Sequence, residues 1–137
     1  GTQLQDAAAD VVKAGGGKVV GAVRVPLATS DFSSYVLQAQ SSGADVLGLA
    51  NAGGDFTNSL KTANQFGVTR KMKPAALLAF ITDIHGLGLE TAQGLYPTTG
   101  WYWDPNDKTR ALAKRFCEQT KHEPTMTPAA YDADTHT

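Results

Sequence analysis

Apolar positions along the chain alternate between two rhythms, one helical and one suited to strands. Leu4, Ala7, Ala8, Val11 and Val12 recur at helical spacing and stop at Gly15-Gly16-Gly17, a run that ends helices readily. Val19 to Val25 reads as a strand closed by Pro26. Asp31 stands where a second helix needs a cap; Phe32, Tyr35, Val36 and Ala39 share its buried face and Gly43 ends it. Val46 to Ala50 is a short apolar run of strand length, and the next helix turns Phe56, Leu60 and Ala63 inward before Gly67. Ala75 to Phe80 is the next predicted strand, after which Thr82-Asp83 caps a glycine-interrupted helix ending near Gly94. Leu95 to Trp103 reads as extended, with Pro97 pointing to an edge position or a bend. Asp104 to Asp107 forms a cap and turn before an amphipathic helix containing Leu112 and Phe116. His122 to Pro128 is a loop, and Pro128 opens a last helix.

Strand–helix alternation with short, glycine-closed connections predicts an α/β fold: a doubly wound, mainly parallel sheet with helices on both faces. Right-handed crossovers bring the carboxyl ends of such strands to one edge, where ligands of open α/β sheets bind. Three short polar loops fall there: Pro26 to Asp31, Asn51 to Asp55, and Ile81 to His85.

Composition narrows the function classes. The 137 residues suffice for one domain with a core but not for two full ones, and 42% hydrophobic with 18% charged residues is an ordinary globular balance. A formal net charge of −1 gives no footprint for nucleic acid or anionic lipid. No run approaches a membrane span. No signal-like segment opens the chain, which by itself does not place it in the cytoplasm. Cys117 is the single cysteine, so no internal disulfide forms. His122 and His136 lie far from other metal-ligating residues at useful spacing, and neither a metal nor a cofactor is implied.

Asn51-Ala52-Gly53-Gly54-Asp55 is the sharpest local feature. Between a buried strand and a helix, its glycines expose backbone N–H groups that could cradle a carboxylate or another polar ligand group. The alternative is a tight turn in which Asp55 merely caps the helix. It is not a phosphate loop, because the Gly-Lys-Ser/Thr ending is absent, and Gly15-Gly16-Gly17 ends a helix where a dinucleotide fingerprint must open one. After the next strand, Phe80, Thr82 and Asp83 reach the same edge. Asp83 could meet a ligand ammonium or hydroxyl, or serve with Thr82 as a cap, and His85 is expected to be exposed. Trp101 and Tyr102, with Trp103, could stack on a flat ligand or wedge two domains together. No catalytic triad, nucleophile elbow or paired-carboxylate signature accompanies these residues, which argues against an enzyme.

The ordered set formed by residues 16–67, "FITDIHGLGLETAQGL" (80–95), "YWDPND" (102–107) and "PAAYDADTH" (128–136) resembles the leucine/isoleucine/valine-type periplasmic solute-binding proteins of ABC importers, nearest to the subgroup associated with aromatic acids. The resemblance implies one lobe of a two-lobe protein plus a piece of the other: residues 1–102 as most of the second lobe, and 103–137 as helices of the first lobe beyond a hinge. It implies that the loops at Asn51–Asp55 and Phe80–Asp83 face an interlobe cleft. Amino-acid-binding relatives carry aromatic side chains where this chain has Ala52 and Gly53, which leaves room for a bulkier or flatter solute than a branched-chain amino acid.

The function so implied is capture of a small organic solute in the periplasm and delivery to the membrane permease of an ABC transporter. Rival expectations are a sensor's ligand-binding module, distinguished by neighbouring membrane spans or output domains, and a doubly wound enzyme, distinguished by turnover. The family also places a strand before Gly1, between the strands at Val19–Val25 and Val46–Ala50. These two are therefore not expected to be neighbours: either the strands close up and pair, or a second copy supplies a strand, or further residues fill the gap, the last two being favoured over closure. A homo-oligomer is expected if the 137 residues stand alone.

Overall fold

The computed structural model describes residues 1–135, so His136 lies outside the described residues. The chain divides into two compact units, one formed by 1–79 with 83–98 and the other by 80–82 with 99–137. In chain order the elements are α1 (Thr2–Ala14), α2 (Ser33–Ser41), β1 (Val46–Leu49), α3 (Gly53–Gln65), a 3-10 turn (Val68–Arg70), β2 (Lys73–Ala76), α4 (Ile81–Leu87), α5 (Leu89–Ala92), β3 (Tyr96–Pro97), α6 (Asp107–Thr120) and α7 (Met126–Thr135).

The sheet runs β1-β2-β3 and both pairings are parallel, as the strand–helix alternation predicts. Val46 pairs with Lys73 and Leu49 with Ala76, while Ala75 pairs with Tyr96. Partners in register lie on one face, so Leu47, Leu49, Pro74 and Ala76 share a side. That side holds the core. Leu49 and Ala76 pack with Phe56, Leu60, Ala79 and Leu87, with Ile84, Ala92 and Leu95 at the margin. Beside it, Phe32 and Val36 of α2 pack with Ala63, Val68 and Met72. Phe56, Leu60 and Ala63 are completely buried at i, i+4, i+7, the spacing that puts a stripe on one helix face. Full burial of Phe56 and Leu60 stabilises by roughly 1.5–3 kcal/mol each. Gly67, at φ 69°, makes the left-handed turn that ends this helical segment.

On the opposite side of the sheet Val46, Gly48, Lys73 and Tyr96 are exposed and Ala75 is partly buried. Lys73 Nζ lies 6.0 Å from the Tyr96 ring centroid there, a loose cation–π contact.

Five expectations change. Val19–Val25 is not a strand: it joins no ladder, and Val19, Val20 and Val23 are exposed, with only Val25 touching the core. A strand exists only through its neighbour's hydrogen bonds, and none of β1, β2 or β3 supplies them to this segment. The strand predicted at Ala75–Phe80 begins instead at Lys73 and ends at Ala76. Lys73 and Leu77 donate to Asp45 O and Leu49 O, so alternate residues face β1 and Pro74 faces away. On that side β3 first pairs at Ala75, and the missing proline N–H interrupts no ladder. Leu95–Trp103 pairs only at Tyr96–Pro97, on the edge that suits Pro97. Finally, α4 starts at Ile81, putting Thr82 and Asp83 inside the first turn rather than at the cap, and α7 starts at Met126 rather than Pro128.

In the other unit, Asn106 opens α6 with a capping box: its side chain accepts from Thr109 N–H while the Thr109 hydroxyl accepts from Asn106 N–H. Arg110 reaches back to Asp104 (3.0 Å) and Asp107 (2.6 Å), whose carboxylates raise the guanidinium's pKa, Asp107 the more strongly. These exposed pairs fix the turn's shape more than they add stability. Tyr102 and Trp103 are in tilted ring contact at 5.7 Å.

Candidate functional site

The chain leaves the carboxyl ends of β1 and β2 on the same edge of the sheet, because the two strands are parallel and in register. After β1 it passes Ala50 into the Asn51–Asp55 loop and α3. The start of α1 belongs to this edge too: a Cβ built on Gly1 would stand 3.4 Å from Ala50 O. A third segment is tied in by Asp55, whose Oδ2 accepts from Ala28 N–H across 27 residues at 3.1 Å. Ala28 is held at φ 57°, in the left-handed region that costs a non-glycine residue roughly 1–2 kcal/mol. The Pro26–Asp31 loop is therefore tied to the first turn of α3. Within it Thr29 Oγ1 donates to Pro26 O, and Asp31 Oδ1 accepts from Ser33 N–H at 2.9 Å. The Ser33 bonds, side-chain first, hold the Asp31 pKa below the ordinary aspartate value.

Asn51 works inward. Its amide nitrogen donates to Asp55 O and to Ser59 Oγ, both at 3.1 Å. Ser59 Oγ in turn donates to Phe56 O at 2.9 Å, so it can only accept from Asn51, which fixes the amide's orientation. Asn51 Oδ1 is left buried with no hydrogen-bond partner. Ser59 was not foreseen as part of this network; its signal is a polar residue within the apolar stripe of Phe56, Leu60 and Ala63.

What the loop shows outward is nearly bare main chain. Ala52, Gly53 and Gly54 are exposed, and no side chain caps α3 at Ala52. Asp55 does not cap its own helix, its carboxylate being engaged with Ala28. The N–H groups of the first turn of α3 are thus left without a side-chain cap at this edge. Of the other expected contacts, Asp83 belongs with this unit and is partly buried. Phe80 and Thr82 belong to the second unit, as do Trp101 and Tyr102. His85 is exposed. Among the described residues no group of three His, Cys, Asp or Glu side chains could hold a metal ion, and no helix is long and apolar enough to cross a membrane.

The sequence model of a family described as periplasmic binding protein matches residues 1–134. Three solved structures are similar. A periplasmic binding protein from Burkholderia mallei is 56% identical, with a TM-score of 0.87, over 95% of this chain and 35% of its own. A branched-chain amino acid ABC transporter periplasmic ligand-binding protein from Burkholderia xenovorans LB400 is 40% identical, with a TM-score of 0.81, over 93% and 34%. An amino acid ABC transporter substrate-binding protein from Pseudomonas fluorescens Pf-5 is 26% identical, with a TM-score of 0.86, over 95% and 35%. The chain spans about a third of the length of these structures. No curated protein matches it.

Proposed function

The chain belongs to the periplasmic binding protein family, and on that premise we propose that it forms one wall of the ligand cleft of a solute-binding protein. In this reading the protein captures a small organic solute in the periplasm and hands it to the membrane permease of an ABC importer. The observation that carries the reading is the pair of parallel strands whose carboxyl ends lead into Asn51–Asp55 and towards Phe80–Asp83, since ligands of open α/β sheets bind at that edge. Residues 1–102 act as most of one lobe and 103–137 as helices of the other, with Trp101 and Tyr102 at the crossing. Within the first unit the proposed ligand contacts are Asn51 to Asp55 and Asp83, the Asn51 amide serving mainly to hold the loop.

The similar structures from Burkholderia xenovorans and Pseudomonas fluorescens are amino acid transport proteins by description, so amino acids stand beside aromatic acids as candidate solutes. No bond is made or broken in this role. A thermal-shift and native mass spectrometry panel of amino acids and aromatic acids on the intact protein tests it. The expected result is one stoichiometric, unmodified ligand, bound equally well by the His85→Ala variant. Turnover of the solute that disappears in that variant would contradict the reading.

A further inference from the structure

The Pro26–Asp31 loop is held in a conformation that its own sequence does not favour. Ala28 sits at φ 57°, a region that glycine enters freely and alanine does not. The strain gains no burial at the site itself: Ala28 is exposed and Leu27 beside it is 92% exposed. Two of the loop's hydrogen bonds are local, Thr29 Oγ1 to Pro26 O and Ser33 N–H to Asp31 Oδ1. The bond that reaches across the fold is the one from Ala28 N–H to Asp55 Oδ2. Asp55 lies in the first turn of α3, where an acidic side chain ordinarily serves its own helix, yet no side chain caps that helix. Strained backbone persists only where its surroundings over-determine it, and such sites gather at ligand clamps and switches.

Resting on the ligand-cleft reading above, we propose that the Asp55 side chain is a positioning residue that acts on the solute through Ala28. Its carboxylate latches the Pro26–Asp31 loop to the first turn of α3, so that the two loops form one ordered edge. Ordering the loop before the solute arrives removes that entropic cost from binding, and the latch raises affinity without touching the solute. Without the carboxylate, Ala28 leaves the left-handed region and the loop loses its link to α3. An Ala28→Gly substitution keeps the turn accessible even when the latch is gone, because glycine carries no penalty there. A direct contact between Asp55 and the solute allows no such repair.

The test compares the intact protein with Asp55→Ala and with the double variant Asp55→Ala/Ala28→Gly. Amide exchange is read without solute, and titration calorimetry uses L-leucine, L-phenylalanine and benzoate as probes. In Asp55→Ala, exchange at Ala28 should quicken about fivefold or more, with Leu60 and Ala63 unchanged. Affinity for the probe that binds should fall about tenfold in Asp55→Ala and recover about threefold or more in the double variant. Unchanged exchange at Ala28 overturns the latch. An affinity loss that the double variant does not repair makes Asp55 a direct contact and overturns the positioning role, as does unchanged affinity in Asp55→Ala. A wild-type protein that binds none of the three probes overturns the cleft reading and the positioning role with it, while the exchange result reports on the latch separately.

Discussion

Helices α1 and α3 are both 13 residues long and both carry an apolar stripe, yet α3 buries Phe56, Leu60 and Ala63 completely whereas α1 buries nothing. The difference lies in what faces them. Opposite α3 stand Leu49 and Ala76 on one side of the sheet and the α2 residues Phe32 and Val36 alongside. The stripe of α1 ends with Val11 73% exposed, and the valines that follow it, Val19, Val20 and Val23, are exposed as well. An amphipathic pattern specifies that a face will be buried; only a complementary surface buries it. The bare side of the sheet at Val46, Gly48, Lys73 and Tyr96 is the corresponding unmet surface, since parallel sheets are ordinarily covered on both sides.

The comparison predicts a large asymmetry in mutational cost. Leu60→Ala should destabilise by roughly 2–5 kcal/mol, through lost burial and the cavity left behind, while Val11→Ala should change stability by less than about 0.5 kcal/mol. Urea unfolding of the two variants measures both, and comparable losses would mean that α1 is packed in solution. A second expectation follows from the same exposed stripe. The 137-residue chain on its own should associate into dimers or larger species, and Val11→Lys combined with Val23→Lys should shift it towards monomer, as read by light scattering. A monomeric wild-type chain would show that these surfaces find cover within one molecule.

Smaller effects sharpen the picture at the carboxyl edge. Asp55→Asn weakens the acceptor that holds Ala28 N–H and should cost about 0.5–1.5 kcal/mol, with faster amide exchange at Ala28. The smallest effect concerns Asp31. Its folded-state pKa is lowered, so its contribution is present above the unfolded aspartate pKa and is lost as pH falls through the lower, folded value. Acid titration should therefore loosen the start of α2 in the wild-type protein, and an Asp31→Asn variant should lack that acid-dependent step.

How far the sequence discloses this architecture depends on how local each feature is. Phe32, Val36, Phe56, Leu60 and Ala63 announce their burial through spacing alone, and Gly43 and Gly67 mark chain reversals that only a left-handed residue makes easily. Val19–Val25 has the composition of a strand, but strand formation is a property of a pair, and the partner is not encoded in the segment. Pro74 illustrates the same point in reverse: it looks like a reason to start the strand later, and only the side on which β3 lies shows that its missing N–H is harmless. At the candidate site, the position of Asn51–Asp55 after a strand follows from the alternation of elements. The commitment of Asp55 to Ala28 does not, because the two are 27 residues apart and no periodicity links them.

The central claim is that ligand binds at the edge formed by the first turn of α3, and hydrogen exchange tests it most directly. Amide exchange should be followed in the intact protein with and without a saturating solute found in the thermal-shift panel. The account predicts slowed exchange at Gly53, Gly54 and Asp55, with α1 unchanged. Protection that bypasses these amides and gathers at the opposite end of the sheet, around Val46 and Lys73, would contradict it.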